Sequence, residues 1–248
     1  MNTDAQSGVA LAKAVAAGAA KLSDRTVAVC PPFVYLAGFT RGLAPASLVW
    51  DIPSAESVIQ NPDGKFHGPI RLRTALADDY LAPAGQVFAQ MGAPLVQQTL
   101  RPFGFDLSAA TISALLGTET RYSLLDVAAA YGILAAQGTR VGQSPLAVLR
   151  VEGADGRLYA DFSAPGSAQV VSPQLAYLVT DVLRVEMGLP AAAKDGQTLD
   201  GQENWSVGYT PQRVALAWLG GERLMEAQTG SALAGAAAGL RAALLQAA

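Results

Sequence analysis

The sequence predicts an α+β fold: helices first, then antiparallel strands, then a closing helix. Three observations carry this. Trp205, Val207 and Tyr209 alternate with Ser206, Gly208 and Thr210, and Val214, Leu216 and Trp218 alternate with Ala215, Ala217 and Leu219. Period-two alternation marks strands with one buried face. Thr210-Pro211-Gln212-Arg213 between the two runs is a turn, because proline pre-sets φ. Second, Phe33-Val34-Tyr35-Leu36-Ala37 has no polar face, and a helix apolar all round is a buried one. Third, no segment repeats and no regular βαβ alternation exists.

Taken in order, Leu11, Val15, Ala19 and Leu22 recur at helical spacing and predict an alanine-rich helix over 7–22. Residues 1–25 form an extension and 26–248 the domain proper. Pro31 and Pro32 suit a helix entry, where the first N–H groups lack intrahelical partners anyway. The buried helix is expected over 32–41, ended by Gly42. Residues 44–68 read as loop, with Asn61-Pro62-Asp63-Gly64 a turn signal. Helices follow at 70–81, 83–91, 95–101 and 123–137. Ser123 with Asp126 forms a capping-box pair for the last, and Gly138 is expected at its C′ position. The runs 147–151 and 158–162 flank Asp155-Gly156, a hairpin signal. Ser172-Pro173 opens a helix whose stripe is Leu175, Leu178, Val182 and Glu186, with Gly188 at its end. A sheet is expected from 194–198, 204–210 and 213–219. A last helix runs from about residue 231, on Leu233, Ala237, Leu240 and Leu244.

Composition bounds the function. Of 248 residues, 51% are hydrophobic and 15% charged, enough apolar material for a sizeable core. The net charge of −3 argues against nucleic acid or an anionic membrane surface as the main partner. One cysteine, Cys30, and one histidine, His67, exclude a disulfide framework and any site needing two histidines. No run of about 18 apolar residues exists, so no transmembrane segment is expected. The start, MNTDAQSG, lacks the positive n-region of a secretory signal.

Five segments in this order resemble the transpeptidase domain of class A penicillin-binding proteins, whose fold is shared with serine β-lactamases. CPPFVYLAGFTRGLAPASLVWDIPS is similar to the nucleophile helix and the loop after it. NPDGKFHGPIRLRTALADDYLAPA is similar to the segment carrying the second motif. LLGTETRYSLLDVAAAYGILAAQGTR is similar to the core helix. KDGQTLDGQENWSVGYTPQRVALAWLGG is similar to the Lys-Thr-Gly strand and hairpin, and TGSALAGAAAGLRAAL to the closing helix. The resemblance implies a helical lobe and an antiparallel sheet covered by the last helix. It also implies a place in cell-wall peptidoglycan synthesis, outside the cytoplasmic membrane. No cofactor and no metal is expected.

The family's chemistry needs a serine nucleophile with a lysine one helical turn later, S-x-x-K, to take its proton. A Ser-x-Asn and a Lys-Thr-Gly-Thr close the other sides of the cleft and bind the substrate carboxylate. With PFVYLAG fixing the register, the nucleophile position falls on Ala28 and the lysine position on Pro31. The Ser-x-Asn positions fall on Asp79 and Leu81. Lys194 and Gly196 survive from the third motif, while Asp195 and Gln197 replace its threonines. The resemblance therefore implies vestigial cleft positions at Ala28, Pro31, Asp79, Leu81, Lys194, Gly196 and Gln197, with no catalytic residue. At ~5 Å and an effective dielectric constant of about 20, Asp79 would repel a carboxylate ligand by a few kcal/mol before screening. Cys30 reads as a buried small residue lacking a base, and His67 as a surface or packing residue. Asp78 and Asp79 read as a solvated helix face. Lys194 keeps two readings, a binder of a carboxylate or a partner, or a solvated strand residue.

The expected function is a catalytically inactive, transpeptidase-like domain that binds or scaffolds. The alternatives are an active D,D-transpeptidase or acyl-serine-type hydrolase with rebuilt residues, or a fragment of a larger penicillin-binding protein. The family supplies strands from chain preceding the nucleophile helix, where this sequence reads as helix. A reduced sheet is therefore expected, with an open edge that a homo-oligomer or a cell-wall enzyme partner covers.

Overall fold

A computed structural model describes residues 31–53, 61, 63–106, 122–142, 149–186, 190–197 and 203–220. The expected helix over 7–22, the closing helix, Ala28 and Cys30 lie outside the described residues. So does the chain on which the missing-strand expectation rests.

Helix α1, Pro31–Phe39, buries all nine of its residues, as an all-apolar stretch must. Phe33 is the centre of an aromatic cluster. Its ring meets Phe103, Phe105 and Tyr131 edge-on at centroid distances of 5.1, 5.0 and 5.4 Å, the arrangement that ring quadrupoles favour. Arg41 and Leu43 N–H both donate to the Gly38 carbonyl, and Gly42 turns the chain at φ +92.

The stretch 44–68, expected to be loop throughout, contains strand β1, Leu48–Asp51, and the start of β2, Gly68–Arg71. They pair antiparallel from Leu48↔Arg71 to Asp51↔Gly68. Each is only four residues long, too short for periodicity to announce it. The expected helix over 70–81 is accordingly shorter: α2 spans Leu72–Ala77 and stops. Helices α3, Leu81–Met91, and α4, Ala93–Leu100, follow, with a 3₁₀ turn at Arg101–Phe103.

Helix α5, Leu124–Ala135, starts as expected. Ser123 Oγ accepts the Asp126 N–H at 3.1 Å, and Asp126 accepts the Ser123 N–H at 3.2 Å. Its end differs by one residue. Gln137 N–H donates to the Leu134 carbonyl at 3.1 Å and Gly138 N–H to the Ile133 carbonyl at 2.7 Å. This is a Schellman pair with Gln137, at φ +53, in the C′ place and Gly138 one further on. Glycine is still required there, because a Cβ at Gly138 would run into the Val171 carbonyl.

Strand β3, Thr139–Val141, pairs with β6, Ser167–Gln169, and β4, Arg150–Glu152, with β5, Leu158–Asp161. The latter is the hairpin that Asp155-Gly156 announced, with Gly156 at φ +76. Helix α6, Pro173–Val182, is capped by Ser172, whose Oγ accepts the Leu175 N–H. It ends before Glu186. Residues Arg184–Glu186 form β7 and pair with the start of β8, so Glu186 is not on the helical stripe.

The main sheet has the order β10-β9-β8-β7, all antiparallel. Strand β8 is Pro190–Gln197, β9 Glu203–Thr210 and β10 Arg213–Gly220. The β9–β10 hairpin stands where alternation put it. The strand before it starts earlier than residue 194 and carries β7 beside it. Ala192, Trp205, Val207 and Tyr209 point into the core shared with α1, α5 and α6.

Candidate functional site

Asp79 and Lys194, distant in sequence, meet as an ion pair: Lys194 Nζ lies 2.8 Å from Asp79 Oδ1. The Lys194 side chain is 4% exposed and that of Asp79 26%. Two local events bring them together. Lys194 stands opposite Val207 in the β8–β9 ladder, on the face that carries Ala192, and so points toward the helical lobe. Asp79 sits in the turn after α2. Asp78 closes that helix, Asp79 takes φ +61, and Tyr80 N–H donates to the Ala75 carbonyl at 2.9 Å. Glycine usually fills this left-handed C′ place, and aspartate is among the few other residues that visit it. The expectation of a solvated helix face at Asp78 and Asp79 is therefore corrected for Asp79, while Asp78, at the helix end, is exposed. Asp79 is on a turn, and its carboxylate is engaged. Of the two readings of Lys194, the solvated one is overturned by its burial.

The other expected positions are distributed around this pair. Pro31 is the buried first residue of α1. Leu81 is the half-buried first residue of α3. Gly196 is buried opposite Trp205, and a Cβ there would collide with the Trp205 indole, so the ring lies over the glycine. Gln197 ends β8. From α1, Tyr35 reaches the same region. It is wholly buried, and its hydroxyl has no hydrogen-bond partner among the described residues. Burial, then the charges of Asp79 and Asp51, push its ionisation well above the usual tyrosine range.

A second cluster, which the sequence did not single out, holds the turn in place. Asp51, the last residue of β1, is fully buried. It accepts hydrogen bonds from Asn61 Nδ2 on both oxygens at 2.8 Å and from the His67 N–H at 2.9 Å, and pairs with His67 Nδ1 at 2.7 Å. Asn61 Oδ1 in turn accepts the Ala82 N–H from the first turn of α3. His67 Nε2 lies 3.1 Å from Asp63, and its ring stacks on Tyr80 at 4.3 Å. His67 is thus a packing and pairing residue against Tyr80, which follows Asp79 in the chain. The visible signal was the Asn-Pro-Asp-Gly turn. Nothing local in the sequence tied it to Asp51. Among the described residues no group of histidine, cysteine or acidic side chains is arranged to hold a metal.

This architecture is the transpeptidase fold of penicillin-binding proteins. The structure of PonA1 from Mycobacterium tuberculosis in complex with penicillin V superposes with a TM-score of 0.69 at 21% identity, over 82% of this chain and 62% of that one. Penicillin-binding protein 1A from Haemophilus influenzae gives 0.66 at 19% identity, over 79% and 37%. By sequence, the chain is homologous to the transpeptidase region of penicillin-binding protein 1A. It is 32% identical over 217 residues to that protein of Neisseria meningitidis serogroup B, covering 76% of this chain and 27% of the relative. It is 28% identical over 187 residues to that of Clostridium acetobutylicum, covering 69% and 23%. The chain therefore spans about a quarter of the length of these relatives. No protein-family model matches it. Among the described residues no helix is long and apolar enough to cross a membrane.

Proposed function

We propose that this chain is a catalytically inactive transpeptidase-like domain with a binding or scaffolding role in peptidoglycan synthesis, on the outer side of the cytoplasmic membrane. The observation that carries the proposal is the Lys194–Asp79 pair. In the resembled family, the corresponding lysine helps to close a cleft that receives a carboxylate-bearing substrate. Here its ammonium already has a carboxylate at 2.8 Å and is almost wholly removed from water. An incoming carboxylate would have to displace Asp79 and leave that acid uncompensated in a largely dry site, at a cost of several kcal/mol. The residue letters at Ala28 and Pro31 support the same reading, because neither side chain can attack a carbonyl or accept a proton.

Penicillin V, the ligand in the PonA1 structure, is the direct probe. After incubation with it, intact-mass spectrometry of this protein should return the unmodified mass. A stoichiometric adduct on any serine, or on Cys30, overturns the proposal and restores the acyl-enzyme alternative.

A further inference from the structure

A cavity of about 580 Å³ opens between the end of α5, the outer face of α6 and the first residues of β8. Neither Asp79 nor Lys194 lines it. Its volume is within the range of small-molecule pockets. It exists because Ala135, Ala191 and Ala192 leave one wall without bulk, while Tyr209 forms the floor. The Tyr209 hydroxyl is hydrogen-bonded to the Thr180 hydroxyl at 3.1 Å. These wall polar groups satisfy each other, so much of the interior is apolar.

The rim is different. Tyr177 lines it with 57% of its surface exposed, a large aromatic left in water. Arg184 also lines it, and among the described residues its charge is incompletely matched. Asp181 Oδ2 is held by Arg73 at 2.6 Å, and its other oxygen lies 3.7 Å from Arg184. Among the described residues two guanidiniums share one carboxylate, which leaves a surplus positive charge at the mouth of an apolar cavity. A guanidinium with spare donors recognises a carboxylate or sulfonate.

We propose that this cavity binds a small monoanionic amphiphile, its apolar body against the alanine wall and Tyr177, and its head at Arg184. The probe is 8-anilinonaphthalene-1-sulfonate, added to the native protein. Its fluorescence should rise saturably at one site per chain. Dodecanoate should displace it, and dodecyltrimethylammonium, with the same body and the opposite charge, should not. Ala135→Phe, which fills the cavity, should abolish the signal. Arg184→Gln should weaken binding about fivefold and Tyr177→Ala about tenfold. Both of the latter side chains are exposed, so these variants decide the matter even where Ala135→Phe fails to fold. Non-saturable binding, equal displacement by the cation, or affinity indifferent to Arg184 and Tyr177 overturns the proposal.

Discussion

Replacing Asp79 by asparagine tests the ion pair with the least disturbance to the backbone. Asparagine tolerates the left-handed conformation that Asp79 adopts at φ +61, so a loss of stability reports the charge and not strain. At 2.8 Å and an effective dielectric constant of about 20, the gross attraction is ~6 kcal/mol. Desolvation of the two ions offsets much of this in the intact protein. In the variant, the burial cost of the Lys194 ammonium remains while its counter-charge is gone, a change that costs 3–5 kcal/mol in typical buried pairs. The 26% exposure of Asp79 admits water and places the expectation at the low end, about 3 kcal/mol. For a chain of this length that lowers Tm by about 6–12 °C. Adding Lys194→Met should recover most of the loss, because it removes the orphaned charge and keeps apolar bulk. Thermal and urea melts of the two single variants and the double variant form a mutant cycle. A coupling energy below ~0.5 kcal/mol, or an unchanged Tm for Asp79→Asn, would refute the closed pair and the reading of the site built on it.

Three further outcomes follow from the same geometry. Gly196→Ala forces a methyl group into the Trp205 indole and should cost about 1–3 kcal/mol or more by urea melt, with a change in tryptophan fluorescence. Asp51→Ala strips the acceptor from the His67 N–H and leaves Asn61 Nδ2 with the Lys65 carbonyl alone. It should destabilise by about 3 kcal/mol or more, far beyond a surface substitution. In alkali, Tyr122 and Tyr209 are held by burial to about 12, against ~10 unfolded. The folded state favours the protonated phenols, so this stability is intact below pH ~10 and is lost as pH rises through about 12. Phenolate absorbance from Tyr122 and Tyr209 should appear near pH 12 together with unfolding. Tyr209→Phe should remove one phenolate from that late step.

The sequence by itself determined those elements whose causes are local. An apolar stretch without a polar face made α1 a central helix. The Ser123–Asp126 box fixed the start of α5, and strict alternation fixed β9 and β10 on either side of a proline turn. Each of these signals is carried by neighbours within a few residues, where propensity and periodicity act. The same local spacing overextended α2 and α6, because a helical pattern does not register a competing partner elsewhere. The ladder that claims Arg184–Glu186 lies on β8, and the pairing that claims Gly68–Arg71 lies on β1. Tertiary structure alone decided the site. The left-handed turn at Asp79, the burial of Lys194 and the Asp51–Asn61–His67 cluster depend on groups brought together from separate elements. A charge in a sequence has no fixed solvation. Only packing decides whether it stays in water, as Asp79 was expected to do, or becomes half of a buried pair.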